Sequence, residues 1–152
     1  MNDPFDLQRF VAAQNADGTY ARALSELAHG RKTSHWMWFV FPQLTGLGRS
    51  ALARTYALSS LAEASAYLRH EVLGPRLLQC CSVLSGLKGL SAEQIFGVID
   101  ATKLRSSITL FSCAHPEEQI LVRILDEYFD GAADDTTLQL LGRPATPPRR
   151  PG

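Results

Sequence analysis

Apolar residues recur at intervals of three and four along most of the chain, which is the spacing of one face of an α-helix. Residues 5–14 follow this pattern after Asp3-Pro4, and the segment DGTYARALSELAHG follows it between a turn at Asp17-Gly18 and a stop at Gly30. These two segments predict two helices near the start of the chain.

Further helices are predicted downstream, because each later periodic segment begins with a residue that caps a helix or suits its first turn. These starts are the capping-box pairs Ser60 with Glu63 and Ser91 with Gln94, the prolines Pro75 and Pro116, and Asp100 and Asp134 or Asp135 as N-caps. The sequence thus predicts a mainly α fold, one compact helical domain over residues 1–142. Only MWFVF has the composition of a strand, which leaves room for one or two very short strands.

Composition agrees with a folded domain and narrows its class. The chain has 152 residues, of which 45% are hydrophobic and 20% charged, enough apolar side chains for a core. No apolar run approaches the length of a membrane helix, and the start MNDPFDLQRF lacks the features of a signal peptide. We therefore expect a cytoplasmic protein without membrane contact. The Pro- and Arg-rich residues 143–152 are expected to form a disordered tail.

Charge and cysteine content exclude other classes of partner and cofactor. Basic and acidic residues balance at 15 each, and the body without the three tail arginines is slightly acidic, so duplex nucleic acid is not an expected partner. Cys80, Cys81 and Cys113 fit reduced thiols of an intracellular protein. The four histidines lack the spacing of metal ligands, so neither a metal nor another cofactor is expected.

The segment SHWMWFVFPQLTGLG, residues 34–48, concentrates aromatic side chains before a glycine-containing loop. Burial in the core would explain any single ring. The flanking polar residues favour a second interpretation, a ligand site in which an indole stacks on a planar ring. In that interpretation the ligand-binding residues of this segment are Ser34, Trp36, Trp38, Gln43, Gly46, Gly48 and Arg49, and His35 is a candidate acid or base.

A second polar group occupies DATKLRSSITLF, where Lys103 and Ser107 lie four residues apart on one face of the predicted helix. A serine beside a lysine can act as a nucleophile and base pair, and a lysine can equally hold a phosphate. The sequence does not decide between these roles, nor between a site and a solvated face. The candidates here are Asp100, Lys103 and Ser107 for catalysis and Ser106 and Thr109 for binding.

The motifs GRKTSHWMWFVFPQLTGLGRS, IFGVIDATKLRSSITLF and LDEYFDGAADDTTLQLL resemble the bacterial family known as domain of unknown function 1810, over residues 5–141. That resemblance implies a small, mainly helical protein. It also implies a distant similarity to the YbiA-like group, whose members bind or process ADP-ribose and related N-glycosides. The catalytic residues of that group do not carry over, because its diagnostic residue set does not stand intact in this chain.

Two functional hypotheses follow. In the first, the two segments form one pocket for a nucleotide-like ligand such as an ADP-ribose derivative. Hydrolysis of an N-glycosidic bond would be its reaction, with His35 or Asp100 as acid or base. In the second, the protein is a non-catalytic interaction module whose aromatic segment 35–41 docks a partner protein or a second copy of the chain. The two hypotheses differ in whether His35 and Lys103 reach one shared concavity.

Overall fold

The computed structural model describes residues 3–143, and this part of the chain is built from helices without a β-sheet. The helices are α1 Gln8–Asn15, α2 Thr19–Ala28, α3 Met37–Val40, α4 Ala51–Thr55, α5 Leu61–Arg69, α6 Leu73–Gly86, α7 Ala92–Phe96, α8 Val98–Ala114, α9 Gln119–Phe129 and α10 Asp135–Leu140. A 3₁₀ turn, Ala16–Gly18, joins α1 to α2. The predicted helical fold is confirmed, and of the predicted tail, residues 144–152 lie outside the described part.

Several of the predicted helix starts make the expected cap. Ser91 and Gln94 form a complete capping box on α7, and Asp134 accepts the amide of Thr137 at the start of α10. Ser60 caps α5 by accepting the amide of Glu63. The first two of these confirm both the type and the place of the sequence signal.

The Ser60–Glu63 pair differs from a capping box, because the glutamate has other partners. Glu63 accepts hydrogen bonds from the amide and hydroxyl of Ser59. Its other oxygen pairs with Arg9 at 2.9 Å. The glutamate, 3% exposed, thus ties α1 to α5 across the chain. The local pattern predicted the helix start and could not predict this distant arginine.

Other expectations about local structure were wrong. The segment 37–41 has a strand-like composition, but its residues 37–40 form the short helix α3 and do not pair with another strand in the described part of the chain. Helix α8 starts at Val98, so Asp100 lies in its first turn and is not its N-cap. The prolines are displaced in the same way: α6 starts two residues before Pro75, and α9 starts three residues after Pro116.

Within residues 3–143, β-pairing amounts to one isolated parallel bridge between Leu44 and Leu58. It is held by two hydrogen bonds, from the amide of Leu58 to Gln43 and from that of Thr45 to Leu58. The bridge pins the loop that follows α3 against the segment before α5. No helix in this part of the chain is long and apolar enough to span a membrane.

Helix α8 runs through the centre of the fold and packs against α5, α7, α9 and α10. Its buried face includes Leu104, Ile108 and Phe111. Gly97 joins α7 to α8 with φ of +83°, a conformation that favours glycine. This sharp junction leaves the first turn of α8 facing the segment that carries the aromatic residues.

Candidate functional site

The two polar segments predicted from the sequence meet at one open cavity of about 470 Å³. The first segment contributes His35, Met37 and Trp38, and the second contributes Asp100 and Lys103. The residues next to these segments that also line the cavity are Lys32, Phe96, Gly97, Val98 and Ile99. Volumes of this size are typical of small-molecule sites. His35 and Lys103 therefore border the same concavity.

The carboxylate of Asp100 contacts two lysines that line this cavity. One carboxylate oxygen lies 2.9 Å from Nζ of Lys32, and the other lies 3.5 Å from Nζ of Lys103. The Lys32 side chain is only 7% exposed and also donates to the carbonyl of Ser34 at 2.6 Å. The cluster carries two positive charges and one negative charge, so it favours an anionic ligand.

Trp38 is the indole that a ligand can reach. It is partly exposed and borders the cavity, and Nζ of Lys103 lies 5.3 Å from the centre of its ring. A partly exposed indole can contact a planar ring of a ligand, and the ammonium that lies over it can bind an adjoining anionic group. Of the two tryptophans, Trp38 therefore has the geometry expected of a ligand-binding residue.

Trp36 does not have that geometry, and its predicted stacking role is corrected here. It is fully buried against Phe41 and Phe96. Its indole N–H donates to Oε1 of Glu26 at 2.9 Å. A ring enclosed on all sides cannot stack on a ligand, so Trp36 belongs to the core beneath the cavity.

Glu26 organises the loop that carries the site. Its carboxylate accepts hydrogen bonds from the amides of Thr33 and Ser34, the Ser34 hydroxyl and the Trp36 indole. Burial opposes ionisation, but these four hydrogen bonds outweigh it and lower the pKa of Glu26 to about 2. The predicted ligand contact of Ser34 is thereby corrected, because its hydroxyl is committed to Glu26 and the residue does not line the cavity.

The glycine loop is only partly at the site. Gln43 and Gly48 line a second cavity of about 320 Å³ that shares Val98, Ile99 and Lys103 with the first. A Cβ at Gly48 would lie 2.4 Å from that of Ala53, so close packing on α4 accounts for this glycine.

Gly46 and Arg49 line neither cavity. Gly46 has φ of +104° and faces the side chain of Leu140, and Arg49 is exposed. Their predicted ligand-binding roles are therefore corrected. Glycine at position 46 is explained by the backbone conformation of the turn, since that φ strongly disfavours other residues.

Ser106, Ser107 and Thr109 point into the fold and do not reach the cavity. Ser106 donates to the carbonyl of Thr102. Thr109 donates to the carbonyl of Arg105 and accepts the amide of Asp134. All three are buried, so their predicted roles at a site are corrected. For Ser107, the absence of any exposed surface excludes attack on a substrate in this conformation.

The two cysteines of α6 are also unsuited to a catalytic role. Cys80 and Cys81 are fully buried. Burial raises the pKa of Cys80 to about 12 and raises that of Cys81 as well. Both thiols therefore stay protonated and act as small apolar side chains.

Sequence reasoning missed Lys32 and Glu26. Lys32 lies 68 positions before Asp100, a separation at which no local pattern pairs two charges. Glu26 stands in a regular helical stripe and looks like a solvated residue of α2. The one available signal was that Arg31-Lys32 immediately precedes the aromatic segment.

Two comparisons place this chain among known proteins. A family model described as "Protein of unknown function (DUF1810)" matches residues 4–141. The crystal structure of the conserved hypothetical protein Rv1873 from Mycobacterium tuberculosis is 51% identical and has a TM-score of 0.89, covering 92% of this chain and 99% of that one. No curated protein matches the chain. The YbiA-like similarity stays an expectation.

Proposed function

This chain belongs to the family described as Protein of unknown function (DUF1810), and from that premise we propose that its cavity binds a small anionic ligand with a planar ring, of the nucleotide or ADP-ribose type. The observation that carries the proposal is the placement of Trp38 and Lys103 on one cavity with a ring-to-ammonium distance of 5.3 Å. Each further feature of the cavity supports one part of such a ligand.

The anionic part is supported by charge. Lys32 and Lys103 outnumber Asp100, the one carboxylate among residues 3–143 that lines the cavity. The first turn of α8 also opens here, and no side chain caps its amides. The partial positive charge of a helix start adds to that of the two lysines. A phosphate beside Lys103 would meet both.

The shape of the two adjoining cavities supports a ligand that has a planar ring and a second group. Trp38 is partly exposed and borders the first cavity, where a planar ring could contact it. The second cavity continues past Lys103 over the apolar side chains of Leu47, Val98 and Ile99. A ligand made of two groups joined by phosphate would fill both cavities with its charge at Lys103.

The reaction we propose for this site is hydrolysis of an N-glycosidic bond. A water oxygen would bond to the anomeric carbon while the carbon–nitrogen bond breaks and the nitrogen leaves with a proton. His35, exposed at the cavity, would move that proton. Asp100 has an ammonium group at each oxygen, so we assign it to holding the lysines in place.

Binding is tested by thermal shift and calorimetry with phosphate, AMP, ADP, ADP-ribose and NAD. We expect stabilisation that grows along this series, is lost in Lys103→Met and Trp38→Leu, and persists in Lys88→Met, which removes an exposed lysine elsewhere. Absence of any shift, or equal shifts in wild type and Lys103→Met, would overturn the proposal. Hydrolysis is tested separately by chromatographic product analysis, with His35→Gln expected to bind and not turn over.

A second candidate function, a docking surface, is favoured by one observation: Val98 is 72% exposed and Ile99 73%. The aromatic segment itself does not form the patch expected for such a module, since Trp36, Met37, Val40 and Phe41 are buried. Sedimentation of the free protein tests this alternative. Self-association that is lost in a Val98→Thr/Ile99→Thr double variant would favour it over a ligand site.

A further inference from the structure

A second cluster of reactive side chains lies where α5 meets the end of α8, apart from the cavities described above. The hydroxyl of Ser65 lies 3.0 Å from Nε2 of His115. Nδ1 of the same imidazole lies 3.1 Å from Oε1 of Glu117. A serine, a histidine and a carboxylate therefore follow one another at hydrogen-bond distance.

The partners determine which nitrogen of the imidazole carries a hydrogen. A carboxylate only accepts, so the contact of Glu117 with Nδ1 at 3.1 Å favours the tautomer of His115 that carries its hydrogen on Nδ1. In the neutral imidazole, Nε2 then has a free lone pair and accepts the hydroxyl hydrogen of Ser65. This tautomer is the one in which histidine acts as a general base toward a serine, with the carboxylate orienting the ring.

Ser65 does not follow the commonest pattern of hydroxyls on the helices of this protein. Such hydroxyls usually donate to the backbone carbonyl one turn earlier, as is seen for Thr55, Thr102, Ser106 and Thr109. The Ser65 hydroxyl is instead paired with His115, fifty positions away along the chain. The orientation of the Ser65 hydroxyl is thus set by the imidazole of His115 and not by a carbonyl of its own helix.

The cluster is open to solvent. Ser65 is partly exposed, and the side chains of His115 and Glu117 are 20% and 71% exposed. His115 is fixed from below, because it is the C-cap of α8 and its amide donates to Phe111. A small reagent can therefore approach the serine while the imidazole keeps its orientation.

We propose that Ser65 is an activated nucleophile and that this cluster is a second site, for small carboxylic esters. The Ser65 oxygen bonds to the ester carbonyl carbon while its proton passes to Nε2 of His115. The carbon–oxygen bond to the leaving group then breaks, and that proton goes to the departing alkoxide. Water, deprotonated by His115, releases the acid and regenerates the serine.

The start of α9 is our candidate for the donors that would meet the charge developing on the carbonyl oxygen. Helix α9 starts at Gln119, two residues after Glu117, and no side chain caps its first-turn amides. Free amides at a helix start favour a nearby negative charge. Because Ser65 does not line the deep cavities, we expect small, activated esters to react and bulky ones to be poor substrates.

The test uses p-nitrophenyl acetate with the full-length protein, followed by peptide mapping of acetylated residues. Ser65 is compared with Ser85, a helical serine of similar exposure whose hydroxyl donates to Glu127 and has no histidine partner. General-base assistance contributes about 100-fold or more, so we expect Ser65 to be acetylated at least that much faster than Ser85 in the wild-type protein. This comparison needs no variant and is unaffected by folding defects.

Variants then separate the roles. We expect His115→Gln and Ser65→Ala to abolish nitrophenol release above background, Glu117→Gln to slow it, and Ser85→Ala to leave it unchanged. Thermal unfolding checks that each variant is folded. Acetylation of Ser65 no faster than that of Ser85, or release that survives His115→Gln, would overturn the proposal. Neither outcome bears on the nucleotide-type cavity, because no residue is shared.

Discussion

Lys32 and Asp100 form an ion pair of 2.9 Å that joins the loop before α3 to the first turn of α8. Lys32 is almost fully enclosed, whereas Asp100 keeps a fifth of its side chain in solvent. The pair therefore fixes the two walls of the main cavity relative to each other. It also decides how much positive charge the cavity presents to a ligand.

The first prediction removes this carboxylate. Asp100→Asn leaves the enclosed ammonium of Lys32 without its anion, and we expect a loss of about 1–3 kcal/mol in the free energy of unfolding, between the values for exposed and buried pairs. Asp135→Asn is the matched control, because Asp135 lies in the first turn of α10 and is exposed. Urea unfolding measures both variants.

The same variant tests the role of Asp100 in binding. A unit charge about 4 Å away contributes about 1 kcal/mol even in water, so removing it should strengthen the binding of ADP or ADP-ribose by about fivefold. Calorimetry on the folded variant measures this change. A variant that binds these ligands more weakly would contradict the assignment of Asp100 as a holder of lysines and favour direct contact with the ligand.

The second prediction concerns pH and Glu26. Its pKa falls from an ordinary value of 4.5 to about 2 in the folded protein. A lowered pKa stabilises the fold above pH 4.5, and that contribution is lost as the pH falls from there toward 2. Glu26→Gln should cost about 2 kcal/mol at pH 7, because the charge-assisted bonds to the loop are weakened.

Urea unfolding of wild type and Glu26→Gln between pH 3 and pH 7 measures this effect. We expect the difference in unfolding free energy to be constant above about pH 5 and to shrink below pH 4.5, where Glu26 of the unfolded wild-type chain protonates while the folded protein keeps it ionised. A difference that stays the same down to pH 3 would show that Glu26 is not ionised by its hydrogen bonds.

The third prediction separates the two tryptophans, which are the only ones in the chain. In Trp36→Phe the remaining indole, Trp38, should be quenched by iodide and by bound nucleotide. In Trp38→Phe the remaining indole, Trp36, should resist both, because it is fully buried. Trp36→Phe should also lose about 1–3 kcal/mol of stability through the lost bond to Glu26. Strong iodide quenching of Trp36 would refute its burial.

Much of the fold could be predicted because its signals are local. The Ser91–Gln94 box and the Asp134 cap are read from four consecutive residues, and both stand where they were expected. Segment 37–41, where the sequence left room for a short strand, shows the opposite case. Its aromatic residues and Val40 have a high propensity for strands. Their burial in the core stabilises the helical conformation, and this tertiary packing overrides the local propensity.

The site was predictable only in part. The polar residues of two segments indicated that they meet, and His35, Trp38, Asp100 and Lys103 do line one cavity. Periodicity did not show which face of each segment points outward. Trp36 and Trp38 are two residues apart and therefore lie on different sides of the short helix turn, one inside and one at the surface.

The fourth prediction concerns the buried hydroxyl of Ser107, which has no hydrogen-bond partner within residues 3–143. Ser107→Ala removes an unsatisfied polar group and improves helix propensity, so we expect a gain of about 0.5–1 kcal/mol in unfolding free energy. Thr109→Val is the contrasting variant, because it removes two hydrogen bonds, and should lose about 1–2 kcal/mol. Any activity of the cavity lost in a stable Ser107→Ala variant would restore Ser107 as a site residue.

The last prediction addresses the apolar rim of the cavity. Val98 and Ile99 expose nearly three quarters of their surface on the first turn of α8 and border both cavities. Exposed side chains of this kind contribute little to folding, so the unfolding free energy of the Val98→Thr/Ile99→Thr double variant should lie within about 0.5 kcal/mol of the wild-type value.

If the rim covers the second group of the ligand, the variant should bind ADP-ribose about tenfold more weakly and AMP with unchanged affinity, since each buried methyl contributes about 0.8 kcal/mol. Calorimetry with both ligands measures the difference, and equal loss for both would show that the second group does not lie on this rim.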